Sequence, residues 1–184
     1  MPVLAVWTPE GGLLGAVAPL GLALAASNAL VIDLDPFGPG YPGPNSLAGL
    51  TAESPSRADL ASRSGVGILR NGGIDARSAA RVIEALIKTN ESVVLRLPSG
   101  PLSDALGHSV VPVRQLLPGG WFHRFDGPAV YQATPVWESM PGPGVRLPIP
   151  SPATIRALLN GRRPGARDKW VAAWRSVWRF EWPR

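Results

Sequence analysis

Cysteine is absent from this chain of 184 residues, which excludes disulfides, thiolate metal sites and cysteine nucleophiles while leaving the redox compartment open. Histidine occurs only at His108 and His123. Two imidazoles cannot build a metal site by themselves, and neither has an acid or nucleophile at a telling spacing, so both are expected to be structural. Positive charge is missing from the opening segment: the first lysine or arginine is Arg57, after the acids Glu10, Asp33, Asp35 and Glu53. Charge of either sign is missing from residues 11 to 32. That run has the length of a membrane span, but Gly11-Gly12, Pro19 and Ser27-Asn28 break it and no basic flank would orient it. Glu10 stands where a signal peptide would carry its basic region. The expectation is a cytoplasmic protein.

Hydrophobic residues make up 45% and charged residues 17%, a balance that argues against disorder even with 21 glycines and 21 prolines. The length suits one domain. Net charge is +5, and its distribution says more than its size. From Val145 to Arg184 nine basic residues face only Asp168 and Glu181, so the basic character sits in the last quarter and suits an acidic partner.

The apolar run Val3–Trp7 reads as a strand, Thr8 to Gly12 as a turn, Leu13–Ala26 as a helix and Ala29–Asp35 as a buried strand stopped by Pro36-Phe-Gly-Pro-Gly40. Strand, helix and strand in so short a span predict a βαβ unit and a parallel sheet. Tyr41 to Pro55 is loop-like with one helical turn at Leu47–Leu50, and Arg57–Ser64 is a candidate helix. Ile74–Thr89 is predicted helical with Asp75 as its cap. Val93–Leu97, Ser109–Val113 and Ala129–Ala133 follow as strands. Six prolines from Pro135 to Pro152 predict an extended crossing of the sheet edge without a regular element. Thr154–Asn160 and Asp168–Trp182 complete the chain as helices.

The strand, Gly-rich turn, helix and second strand ending in Asp33-Leu-Asp-Pro-Phe-Gly38 resemble the N-terminal half of the ParA/MinD family of deviant-Walker P-loop ATPases. The resemblance implies a three-layer α/β/α fold with a mostly parallel sheet. It also marks departures. Against the family's Lys-Gly-Gly-x-Gly-Lys-[Ser/Thr]-Thr, this chain has Glu10, Gly11, Gly12, Leu13, Leu14, Gly15, Ala16 and Val17. Glu10 takes the signature lysine's place; Gly15, or Ala16 with a one-residue slip, takes that of the phosphate-binding lysine; and a small apolar residue replaces the magnesium-binding hydroxyl. A phosphate cradle needs helix N-terminal amides, a cation against the phosphates and a hydroxyl on Mg²⁺, and only the amides survive here. ATP is therefore not expected as a cofactor.

Asp33 and Asp35 match the family's paired acids near the metal and the attacking water, and equally fit a strand end entering a Pro-Gly turn. Ser92 to Gly100 resembles the later strand and switch segment, with Arg96 in place of an acid ahead of Pro98 and Gly100. Leu147 to Pro164 resembles the family's late strand, proline-led loop and short helix, whereas Leu116 to Val145 fits poorly and is shorter than the adenine-side region. An enzymatic or anion-binding alternative keeps Asp33 and Asp35 with Arg96 or Arg114 supplying charge. An open pocket above the strand ends would favour it; one filled by Leu13, Leu14 or Phe37 would not.

Residues 1–166 thus form the α/β domain, and residues 167–184 an amphipathic helix of the same domain. Trp170, Trp174, Trp178 and Trp182 recur every fourth residue, with Arg175 and Arg179 on the other side. Three readings stand: a core helix packed on the sheet or in a homodimer, a peripheral membrane helix like that of MinD-like proteins, and, less supported by motif, a nucleic-acid contact. The resemblance with its losses implies a non-hydrolysing scaffold or regulator, with a protein partner such as an active ATPase paralogue, in partitioning, division-site placement or appendage positioning.

Overall fold

The structure, a computed structural model, describes residues 2–26, 28–53, 66–102, 105–116, 127–135 and 139–183. The candidate helix at Arg57–Ser64 and His123 lie outside these residues. Seven strands, β1 Val3–Trp7, β2 Ala29–Asp33, β3 Val66–Leu69, β4 Val93–Arg96, β5 Ser109–Gln115, β6 Ala129–Gln132 and β7 Gly144–Leu147, form one sheet in the order β3-β2-β4-β1-β5-β6-β7. Every pairing is parallel, so the expected βαβ unit and α/β class hold. β1, β2 and β4 carry unbroken apolar runs because a parallel strand inside a sheet is covered on both faces.

Side chains alternate between two cores. Leu4, Val6, Val31 and Val94 meet helices α1 Gly12–Ala25, α4 Pro152–Leu159, α5 Lys169–Ala173 and α6 Arg175–Arg179. Ala5, Trp7, Leu30, Ile32, Val93 and Leu95 meet α2 Leu47–Glu53 and α3 Ala80–Thr89 on the other face. α1 is buried from Leu14 to Ala23, because the sheet lies under it and the C-terminal helices lie over it. A helix covered on all sides needs no polar face, which accounts for the uncharged run.

Three expectations are corrected. The proline-rich stretch does contain a strand: β7 pairs with β6 from Gly144 to Leu147. Prolines flank that pairing rather than interrupt it, and β7 is an edge strand, where one side needs no donors. The helix expected from Ile74 begins at Ala80, because Asp75 Oδ1 accepts from Arg77 N and Ser78 N and closes a separate turn. The last helix is two short ones meeting at Trp174, the first capped by Asp168, whose Oδ1 accepts from Val171 N.

The tryptophans of that segment belong to the core. Trp170, Trp174 and Trp182 are buried, and Trp178 packs against the same cluster. Trp170 Nε1 donates to Gln132 Oε1 at 2.7 Å and Trp178 Nε1 to the Leu22 carbonyl at 2.8 Å. The rings of Trp170 and Trp174 meet edge to face with centroids 5.4 Å apart, seated on Gly21, where a Cβ would come within 2.5 Å of both. The apolar stripe therefore faces α1, and Arg175 and Arg179 face outward.

Candidate functional site

The carboxyl ends of β1, β2 and β4 bring together residues far apart in the chain. Asp33 closes β2 and Asp35 follows two residues later, so both carboxylates turn toward the end of β4, where Arg96 is the last residue. Arg96 Nη1 lies 3.2 Å from Asp33 Oδ2 and Nη2 lies 3.1 Å from Asp35 Oδ2, with side-chain exposures of 3%, 1% and 5% for Arg96, Asp33 and Asp35. Nη1 also donates to the Pro39 carbonyl at 2.8 Å. The guanidinium carbon sits 4.9 Å from the centre of the Tyr41 ring, and the Tyr41 hydroxyl donates to the Ala16 carbonyl in α1 at 2.8 Å. A buried cation is tolerated only when its hydrogen bonds and charge are met, and here two carboxylates, a carbonyl and an aromatic face meet them.

The turn after β2 is built to hold this geometry. Asp35 Oδ1 accepts from Phe37 N at 3.0 Å and Gly38 N at 2.8 Å, which leaves Oδ2 for Arg96. Gly38 has to be glycine: a Cβ there would lie 2.1 Å from Asp35 Oδ2 and 2.4 Å from Arg96 Nη2. Phe37, at the tip, is 94% exposed.

Around the first turn of α1, Gly11 and Gly15 are crowded by neighbouring side chains, whereas Gly12 and Leu13 are exposed. Gly100 N donates to the Pro9 carbonyl at 3.1 Å, and Trp7 Nε1 donates to the Gly100 carbonyl at 3.0 Å, so the segment through Pro98 and Gly100 lies directly on the Gly-rich turn. Gly11 and Gly12 both have φ of 65°, and a Cβ on Gly11 would lie 2.9 Å from Ser99 Oγ. A Cβ on Gly15 would lie 2.8 Å from Thr8 Oγ1. Glu10 pairs with Arg114 on β5, whose Nε and Nη2 each lie 3.3 Å from Oε1.

The predicted residues thus separate into two groups. Asp33, Asp35 and Arg96 converge, whereas Arg114 goes to Glu10. Asp33 and Asp35 are buried with Arg96 between them, whereas Leu13 and Phe37 are exposed and Leu14 lies in the core. Tyr41 and Asn71 were not legible as members of this network. Tyr41 lies in a stretch of loop composition. Asn71, whose Nδ2 donates to the Asp33 carbonyl at 3.2 Å, opens an Asn-Gly-Gly turn and was the one locally readable signal.

Burial raises the Asp33 carboxyl to about 6, against the lowering effect of Arg96, and burial likewise raises the Tyr41 hydroxyl. Because the folded value of Asp33 lies above its free value of 3.8, proton binding favours the native state. That contribution is complete below pH 3.8 and is lost as pH rises through about 6. Carboxyl-carbon NMR is expected to show Asp33 titrating near 6 and moving upward when Arg96 is replaced by methionine. A midpoint at or below the free value would contradict the buried geometry.

The seven-stranded parallel sheet between two helical layers, with a Gly-rich turn between β1 and α1, defines a three-layer α/β/α fold of the P-loop NTPase kind. Within that class the fold is ParA/MinD-like. The chain is similar to the ParA family ATPase from Chlorobium tepidum TLS, with a TM-score of 0.65, 12% identity and coverage of 96% of this chain and 98% of that one. It is also similar to a chain of the MinC:MinD cell division protein complex of Aquifex aeolicus, with a TM-score of 0.60, 10% identity and coverage of 100% and 98%. No protein-family model and no curated protein matches the sequence.

Proposed function

We propose that this chain is a non-hydrolysing ParA/MinD-like protein that acts by protein contact, as a scaffold or regulator in partitioning, division-site placement or surface-appendage positioning. The observation that carries the proposal is the Arg96 guanidinium bound between Asp33 and Asp35. Two acids that could hold a hydrated metal or orient a water are committed to an internal cation. Magnesium and a triphosphate do not fit the residues around the first turn of α1. Glu10 brings negative charge, Gly15 has no room for a side chain, and Gly100 is bonded to Pro9 across the turn. A phosphate-binding turn needs positive charge beside its amides, and these residues supply no free cation. The MinC:MinD complex among the similar structures fits a protein whose work is done through a partner surface.

Calorimetric titration with millimolar ATP, with and without magnesium, is expected to show no magnesium-dependent binding, and steady-state assays no phosphate release. Micromolar affinity for ATP would sink the proposal.

A further inference from the structure

The two helical layers differ sharply in surface charge. On the α2 and α3 side, exposed Arg70, Arg77, Arg81 and Lys88 face exposed Glu53, Asp75 and Glu84, while exposed Glu91, ahead of β4, lines a pocket beside Arg175 at the edge between the layers. On the α1 side, residues 152–183 carry six exposed arginines, from Arg156 to Arg179, and exposed Lys169, against Asp168 and Glu181. Asp168 is occupied: one oxygen caps α5, and the other accepts from the Thr154 hydroxyl. None of the seven cations has a carboxylate partner among the described residues. α4, α5 and α6 all pack inward on α1, so these cations share the outer face of one layer. Ile149, just ahead of α4, and Leu159, its last residue, are about half exposed beside them.

We infer that the outward face of α4, α5 and α6 docks a carboxylate-rich protein surface. The inference rests on the scaffold reading for the idea of a protein partner and adds that partner's chemistry. Guanidinium outnumbers ammonium six to one here, and arginine is enriched and lysine depleted where proteins meet. Its planar fork pairs with carboxylates through two parallel bonds. The aliphatic side chains of Ile149 and Leu159 supply apolar contacts that a purely electrostatic ligand would not use. Single exposed ion pairs stabilise little, but a clustered, unbalanced field speeds encounter and selects partners by sign. A bilayer surface is less well served, because Trp170, Trp174 and Trp182 are buried in the core and half-buried Trp178 packs against it. The same burial leaves them unable to stack on the bases of a single strand.

The test uses the full chain and a fluorescent synthetic peptide rich in Asp and Glu with interspersed leucines, followed by polarisation at low and physiological salt. Binding that weakens with salt is expected. Arg175→Glu/Arg179→Glu and Arg162→Glu/Arg163→Glu should each weaken it by roughly tenfold or more, and Leu159→Ser should weaken it as well. Arg81→Glu/Lys88→Glu on α3 should leave it unchanged, and circular dichroism should show all variants folded. Equal binding by the charge-reversed variants would overturn the inference. So would tighter binding, at physiological salt, of duplex DNA or of phosphatidylcholine vesicles containing phosphatidylglycerol. The ATP titration reads separately: ATP binding with intact peptide binding would defeat only the scaffold reading, and peptide failure without ATP binding only the docking face.

Discussion

Replacing Arg96 with methionine is expected to lower the free energy of unfolding by roughly 3–5 kcal/mol at pH 8, the range for breaking a buried ion pair from one side. Methionine roughly fills the volume of the arginine stem but leaves Asp33 and Asp35 facing each other without a cation. The loss comes from stranded charge, so it should depend on pH. Arg96 favours the ionised form of Asp33, whose carboxyl already sits near 6; without the guanidinium that value climbs further, and a proton replaces the missing cation as pH falls. The penalty at pH 5 should therefore be clearly smaller than at pH 8. Urea unfolding of Arg96→Met at both pH values measures this. The triple variant with Asp33→Asn and Asp35→Asn should recover much of the loss, since removing all charge from a buried cluster is often close to neutral. A pH-independent loss, or no recovery, would mean that Arg96 acts through packing alone. The variant also bears on function. If ATP and magnesium then bound, Arg96 would be the feature that keeps them out.

Deleting residues 167–184 is expected to abolish cooperative folding. Truncating one buried tryptophan to alanine costs roughly 3–5 kcal/mol, and the deletion removes Trp170, Trp174 and Trp182, all buried, along with buried Val177. Against a typical total stability of roughly 5–15 kcal/mol, that sum leaves no stable native state. It also exposes the upper side of α1, which is apolar all round. Near-ultraviolet circular dichroism and a thermal scan should show a loss of fixed tertiary packing and of a sharp transition. A truncated chain that melts cooperatively would place the tryptophans outside the core and reopen their use as a membrane anchor. Among the described residues no helix is long and apolar enough to cross a membrane.

Much of the fold was legible because its signals are local. Val3–Trp7 and Ala29–Ile32 are unbroken apolar runs, and such runs suit strands covered on both faces. β3 was missed because Val66–Leu69 is only four residues long and includes a glycine. β7 was missed because proline density argues against a strand only where both edges must be paired. The long tail helix was read correctly as amphipathic, yet periodicity gives the direction of an apolar stripe and not what lies against it. That Trp174 would sit over Gly21 depends on the C-terminal helices packing on α1, about 150 residues earlier in the chain.

By itself the sequence determined the parallel α/β architecture, the absence of positive charge from the Gly-rich turn and the concentration of arginine near the end of the chain, since each follows from residue type and order. Only the tertiary structure decided where those charges are spent. Arg96 reaches acids 61 and 63 positions away, and whether a buried cation meets a ligand or its own chain depends on distances of a few ångströms, which residue order does not encode directly. The same holds for the tail, where packing against α1 turned four evenly spaced tryptophans inward and left the arginines to face outward.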